Sequence, residues 1–350
     1  MNQGEKAFRS VNAGGKAGTW GGVLFSGLAL AGLVAVAAAE SPSGGGAPTT
    51  GPPPDGVNAA AAAGERGPAA DPGCEDGTGG SPEAGAGRAR MAEQAPDDPA
   101  RLSPEEAADL DRRLAQAAAS RQAPNSAAPT TIPVVVHVIS HTDGSGDVDD
   151  ATVDEQIAVM NKGFGGGYGG QDTGIRFELA DVTRDADDTW FDRFAANERA
   201  IKDELHQGDA GTLNLYTVDL GNAILGQSTF PQEYGSDPKG DGVVVDHRTV
   251  PGGGRKGFDL GYTAVHEIGH WLGLYHTFQN GCEDPGDYVD DTPYEREQSS
   301  GCPKGRDTCR DREGTDPIHN FMNYSDDPCL NHFTKGQAER MSDAWTAFRT

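Results

Sequence analysis

Eleven consecutive residues restrict this chain more than any other feature: His266-Glu267-Ile268-Gly269-His270-Trp271-Leu272-Gly273-Leu274-Tyr275-His276. On a helix, His266 and His270 project from one face a turn apart, so both imidazoles reach a single metal ion. Glu267, next to the first histidine, is placed to take a proton from a metal-activated water rather than to ligate. Gly273 stands where the helix must end, because a residue without Cβ enters the left-handed conformation freely. The chain then turns back and offers His276 as a third nitrogen. Three neutral imidazoles leave one position open, the arrangement a catalytic Zn2+ requires. A bare H-E-x-x-H arises by chance on ordinary helices, but five residues of the right type at fixed offsets do not.

Downstream, Asn320-Phe321-Met322-Asn323-Tyr324-Ser325 supplies a methionine-containing turn. With H-E-x-x-H-x-x-G-x-x-H this resembles the metzincin zinc metallopeptidases. The Asn-Phe-Met-Asn-Tyr wording and the cysteines around it look like the pappalysin family, specifically its short ulilysin-type microbial members. The resemblance runs from about residue 130 to the C-terminus and is densest from Gly261 to Met341. It implies an α/β (α+β) catalytic domain. A twisted mixed sheet with backing and active-site helices lies above the cleft, and a loop-rich, disulfide-stapled lower subdomain lies below. It further implies an apolar floor from Met322 and a hydrogen bond from Tyr324 to the oxyanion of the transition state.

Of the five cysteines, Cys282, Cys302, Cys309 and Cys329 follow the histidine motif. Four cysteines allow three pairings, and spacing does not choose among them. The family resemblance implies Cys282–Cys309 and Cys302–Cys329. A second zinc site is disfavoured because no C-x-x-C pair is present. Cys74 lies alone in the N-terminal third; family members carry an upstream cysteine that occupies the fourth zinc position, and a free or intermolecular thiol is the other reading. Asp284, Asp287, Asp290, Asp291 and Thr292 crowd one loop, as Ca2+ ligands by the resemblance or as a solvated acidic loop. His137, His141, His206, His247, His319 and His332 read as packed or solvated histidines, since three ligand positions are already filled.

The order of the chain is secretory. Lys6, Arg9 and Lys16 precede an apolar run from Gly22 to Ala38, and Ala37-Ala38-Ala39 is a small-residue cleavage site. Residues 1–39 therefore read as a signal peptide or an uncleaved anchor, and either places the rest where disulfides persist. Residues 40–129 open with a stretch, to about Arg101, that is rich in Gly, Pro, Ala and acidic residues, too poor in large apolar side chains to offset ordering entropy, and so expected to be disordered or extended. They read as a pro-segment, or alternatively a surface stalk. One helix interrupts them: Ser103 is an N-cap, Pro104 the first position, Glu106 the third, and the helix runs to about Arg121. Residues 130–350 form the catalytic domain.

Within it, β-branched runs at Ile132–Ile139 and Gly242–Asp246 predict buried strands, with further strands at Ile175–Val182 and Leu213–Val218. Apolar spacing predicts helices over Asp150–Phe164 and Thr334–Phe348. Leu225–Pro231 reads as a short edge strand to which an extended polypeptide substrate pairs through the backbone of Gly226 to Thr229. The formal net charge of −26 argues against nucleic acid and anionic membrane surfaces as partners. Some family members select a basic residue with a carboxylate just before the last cysteine. Pro328 holds that place here, with Asp326 and Asp327 beside it, so no preference is read. The expected function is a secreted zinc endopeptidase. The competing reading is a secreted zinc-binding or cell-surface interaction protein without catalysis, but the chain keeps Glu267.

Overall fold

Every strand that carries the site belongs to one six-stranded mixed sheet, ordered β1-β5-β6-β4-β2-β3. A computed structural model describes residues 88–91, 102–120 and 129–350, the first of these by backbone alone, and all lie in one compact unit, Gly77–Thr350. The signal peptide and Cys74 fall outside the described residues. The strands are β1 (Arg88–Met91), β2 (Thr130–Ser140), β3 (Ile175–Ala186), β4 (Leu213–Val218), β5 (Ile224–Ser228) and β6 (Val243–Asp246). β3, β2, β4 and β6 run parallel, while β5 is antiparallel to β6. Parallel strands are covered on both faces, so β4 and β6 are buried at every position.

Among the described residues, six α-helices accompany the sheet: α1 (Pro104–Ser120), α2 (Asp150–Phe164), α3 (Asp188–Asp192), α4 (Phe194–Leu205), α5 (Tyr262–Trp271) and α6 (Lys335–Phe348). The apolar period of α2 works as its spacing predicts: Val153, Ile157, Met160 and Phe164 enter the core between the sheet and α5. Each such side chain contributes roughly 1.5–3 kcal/mol when fully buried. All ten residues of α5 are buried, so the helix is held from every side. Gln156 on α2 donates to the carbonyl of Gly261 at 3.0 Å, fixing where α5 begins. The far end is clamped by Arg349, which pairs with Asp241 at 2.6 Å and donates to the Trp271 carbonyl at 3.1 Å.

Three features differ from the sequence expectation. α3 and α4 were not expected, because α3 is a five-residue helix and α4 buries only Phe194, Ile201 and Lys202. The strand read as an edge, β5, has β1 paired antiparallel on its outer side, with Arg90 opposite Gly226 and Arg88 opposite Ser228. It ends at Ser228, and Pro231 begins a 3-10 turn. Finally, α1, for which no packing partner was read, lies against the catalytic region. Leu102, Ala107 and Leu110 pack on Phe230 and Tyr275, while Leu114 packs on Ala344 and Ala347 of α6. Asp111 pairs with Arg340 at 2.7 Å.

Candidate metal centre

α5 starts at Gly261, in the left-handed region at φ 80°, and stops as the helix passes Leu272 into Gly273 at φ 92°. The Gly273 N–H closes on His270 and the Leu274 N–H on Gly269, at 2.8 and 2.9 Å, turning the chain back beneath the helix. His276 is thereby brought to the pair on α5. The Nε2 atom of His270 lies 3.2 Å from that of His266 and 3.0 Å from that of His276. Nitrogens bound tetrahedrally at about 2.0–2.1 Å from zinc would stand roughly 3.3 Å apart, so the three imidazoles fit one Zn2+.

Their protonation also fits. Nδ1 of His266 lies 2.6 Å from the Phe321 carbonyl oxygen, and Nδ1 of His270 lies 2.7 Å from that of Leu274. A carbonyl only accepts, so each Nδ1 carries the proton and each neutral ring turns an unprotonated Nε2 inward. His276 stacks on Phe278 at 4.7 Å between centroids with 9° between planes. All three rings are buried.

Glu267 is also wholly buried, and its Oε2 accepts from the Ser228 hydroxyl at 3.0 Å. That bond ties the carboxylate to β5. The approach is close: a Cβ on Gly226 would meet Glu267 Cγ at 2.8 Å, so glycine is required there. Met322 is buried beneath α5 against Gly269. The Tyr324 ring lies 4.8 Å from that of His276 and 5.7 Å from that of His266. The sequence reading passed over Ser228 as a partner of Glu267, though its place on β5 was a usable signal.

Two disulfides staple the segment after His276, Cys282–Cys309 and Cys302–Cys329, the pairing the resemblance implies. The acidic loop does not act as one cluster. Asp284 bonds to Tyr294 and to Arg312, while exposed Asp291 accepts from Thr334 and the Gly336 N–H. Asp290 is exposed, whereas Asp287 and Thr292 are buried. Asp327 is spent structurally, accepting from the Leu260 N–H at 3.0 Å.

The family described as pregnancy-associated plasma protein-A matches residues 256–346, and the matrixin family matches residues 169–282. An extracellular metalloprotease of Pyricularia oryzae is 43% identical over 239 residues, covering 67% of this chain and 82% of that protein. The chain belongs to the pappalysin family of metzincin metallopeptidases. A second relative of this pappalysin, an extracellular metalloprotease of Verticillium alfalfae, is 44% identical over 244 residues, covering 67% of this chain and 83% of its own. Among solved structures, a promirolysin mutant of Tannerella forsythia matches with TM-score 0.60 and 28% identity, covering 69% of this chain and 88% of that one. Mature mirolysin in complex with a cleaved peptide matches this pappalysin with TM-score 0.55 and 29% identity, covering 64% and 97%. The pappalysin is thus a zinc metalloendopeptidase. Among its described residues, no helix is long and apolar enough to cross a membrane.

Proposed function

We propose that this pappalysin is an extracellular endopeptidase in which Glu267 is the general base and β5 the substrate-aligning strand. The carrying observation is the bond from Ser228 to Glu267, which puts a buried carboxylate beside three converging imidazoles and against the strand a peptide would extend. Held by His266, His270 and His276, Zn2+ would lower the pKa of a water toward neutrality and polarise the scissile carbonyl. Glu267 takes the proton of the attacking water and returns it to the leaving amine. Tyr324, packed on two of the imidazoles, donates a hydrogen bond to the developing oxyanion. Met322 supports the ligand geometry from below.

The extended backbone of the substrate pairs with β5 around Gly226. In the full chain that position is taken by β1, so residues 40–129 act as a pro-segment whose strand covers the cleft and whose helix α1 holds it in place. The printed names of the fungal relatives support export, and the N-terminal segment supports a signal peptide over an anchor. Cys74 remains a candidate fourth ligand in the latent chain; Cys74→Ala with unchanged latency would remove that role. The double variant Ala89→Pro/Arg90→Pro removes a ladder N–H from β1 whichever of the two faces β5. It is expected to raise hydrolysis of a short peptide by the unprocessed chain, and an unchanged rate would contradict occlusion by this strand.

A structural Ca2+ is supported by one observation. Among the described residues, Asp287 and Thr292 are both buried and turn their side-chain oxygens toward one another. Hard oxygen atoms placed so at the heart of the acidic loop suit that ion. Calcium should raise the melting temperature of the wild type and leave that of Asp287→Asn unmoved.

A further inference from the structure

Glu295 lies in the disulfide-stapled loop region, outside α5 and outside the methionine turn, and is wholly buried. Burying a carboxylate is costly unless its oxygens are matched by donors. Here each oxygen has two. Oε2 accepts from the Thr277 hydroxyl at 2.9 Å and from the Asn323 amide at 2.7 Å. Oε1 accepts from the Ser299 hydroxyl at 2.8 Å and from the Arg306 guanidinium at 2.7 Å. Arg306 is shared with buried Asp316 at 2.9 Å and reaches exposed Glu297 at 3.3 Å.

The two donors on Oε2 belong to the two segments that build the lower half of the site. Thr277 directly follows His276. Asn323 stands between Met322 and Tyr324, and its side-chain oxygen accepts from the Tyr324 N–H at 2.7 Å and the Ser299 N–H at 3.0 Å. We propose that Glu295 is a positioning residue for the metal centre: one carboxylate oxygen, shared by Thr277 and Asn323, sets His276 against the turn that carries Met322 and Tyr324. The proposal rests on the reading of His276 as a ligand and Tyr324 as an oxyanion donor. The same segments also meet through a 3.3 Å backbone bond from Thr277 to Met322 and through ring contacts of Tyr324 with His276 and Phe278.

Glutamine has the same shape but one oxygen and one NH2 group. If the NH2 faces Asn323, two donors meet; if it faces Arg306, the same happens there. Asn323→Asp restores an acceptor opposite the new amide, while giving up the weaker bond of the Asn323 amide to the Pro317 carbonyl at 3.2 Å. The experiment therefore compares wild type, Glu295→Gln and Glu295→Gln/Asn323→Asp, all freed of the pro-segment by proteolytic processing, zinc-loaded and assayed well below their melting temperatures. Groups that orient metal ligands from behind typically change affinity or turnover by about 10–100-fold. Expected for Glu295→Gln is about a tenfold or greater loss of kcat with KM little changed, and about tenfold easier removal of zinc in chelator competition. The double variant should recover most of both. If Glu295→Gln does not fold, Thr277→Val removes one donor from the same oxygen and is expected to show the same split more weakly. Wild-type kcat and zinc affinity in Glu295→Gln, or in Thr277→Val where that replaces it, would overturn the proposal, as would a double variant no better than the single. A wild-type chain without zinc-dependent turnover after removal of its pro-segment would instead sink the underlying site reading, and this proposal with it.

Discussion

Gly269 and Met322 meet so closely that a Cβ on Gly269 would stand 2.4 Å from the Met322 sulfur. A glycine inside a helix costs about 1 kcal/mol relative to alanine. Here, on α5 between His266 and His270, it opens the space through which the turn methionine reaches the back of the metal centre.

Gly269→Ala should therefore act as overpacking, with a loss of about 1–3 kcal/mol in stability and weaker zinc retention. Combining it with Met322→Ala vacates the contested volume, so the two effects should fall short of additive. Thermal denaturation of both single variants and the double variant checks this; strict additivity would show that the contact is not shared.

Glu267→Gln should bind zinc as the wild type does yet lose roughly 10²–10⁴ in kcat, the usual contribution of a general base. Turnover of a casein-like substrate alongside metal analysis separates this from loss of the metal. Near-normal proteolysis would remove Glu267 from that role.

Gly226→Ala places a methyl group 2.8 Å from Glu267 Cγ and from Thr263 Cγ2. Either β5 or the carboxylate must shift, and a displacement of about 1 Å at a reacting group costs on the order of a hundredfold. Stopped assays should show kcat falling much further than stability. An unaffected kcat would mean that the β5–Glu267 contact is not what aligns the reaction.

The disulfides each close a loop of 27 residues in sequence separation. Loop-closure entropy puts each at about 3–4 kcal/mol. The Cys302→Ser/Cys329→Ser variant should thus melt well below the wild type, with the larger proportional loss in activity at elevated temperature. A melting temperature within a degree or two of the wild type would contradict it.

Burial pushes the Glu295 carboxyl up to about 7, from an ordinary value of 4.5, opposed by its hydroxyl donors and Arg306 and reinforced by Asp316. The folded state then holds this proton more tightly than the unfolded chain. That contribution to stability is complete below about 4.5 and disappears as pH rises to about 7. The difference in melting temperature between wild type and Glu295→Gln isolates this contribution: it should change in favour of the variant between pH 4.5 and 7. A difference independent of pH would contradict the assignment.

The metal centre was legible because its chemistry demands fixed offsets: His266, Glu267, His270, Gly273 and His276 carry their geometry in their spacing. Core elements were legible where a period faces one neighbour, as along α2. Other parts are not periodic. Glu295 sits between exposed Arg296 and Glu297 on one side and half-buried Tyr294 on the other, so nothing local marks it as buried. Asp284 and Asp287 resemble each other in sequence, yet one is exposed and bonded to Arg312 while the other is enclosed. The partner of β5 comes from a glycine-rich stretch far upstream, where no strand pattern exists to read. Ser103, Pro104 and Glu106 foretold the start of α1, but not that its apolar side would pack on Phe230 and Tyr275.

Metal content is the most direct test of the proposed centre. Elemental analysis of the purified chain, beside a His276→Ala variant, should find one zinc per wild-type molecule and a substoichiometric, easily chelated amount in the variant. Wild-type protein that carries no zinc after reconstitution, or hydrolyses peptides equally well after exhaustive chelation, would contradict it.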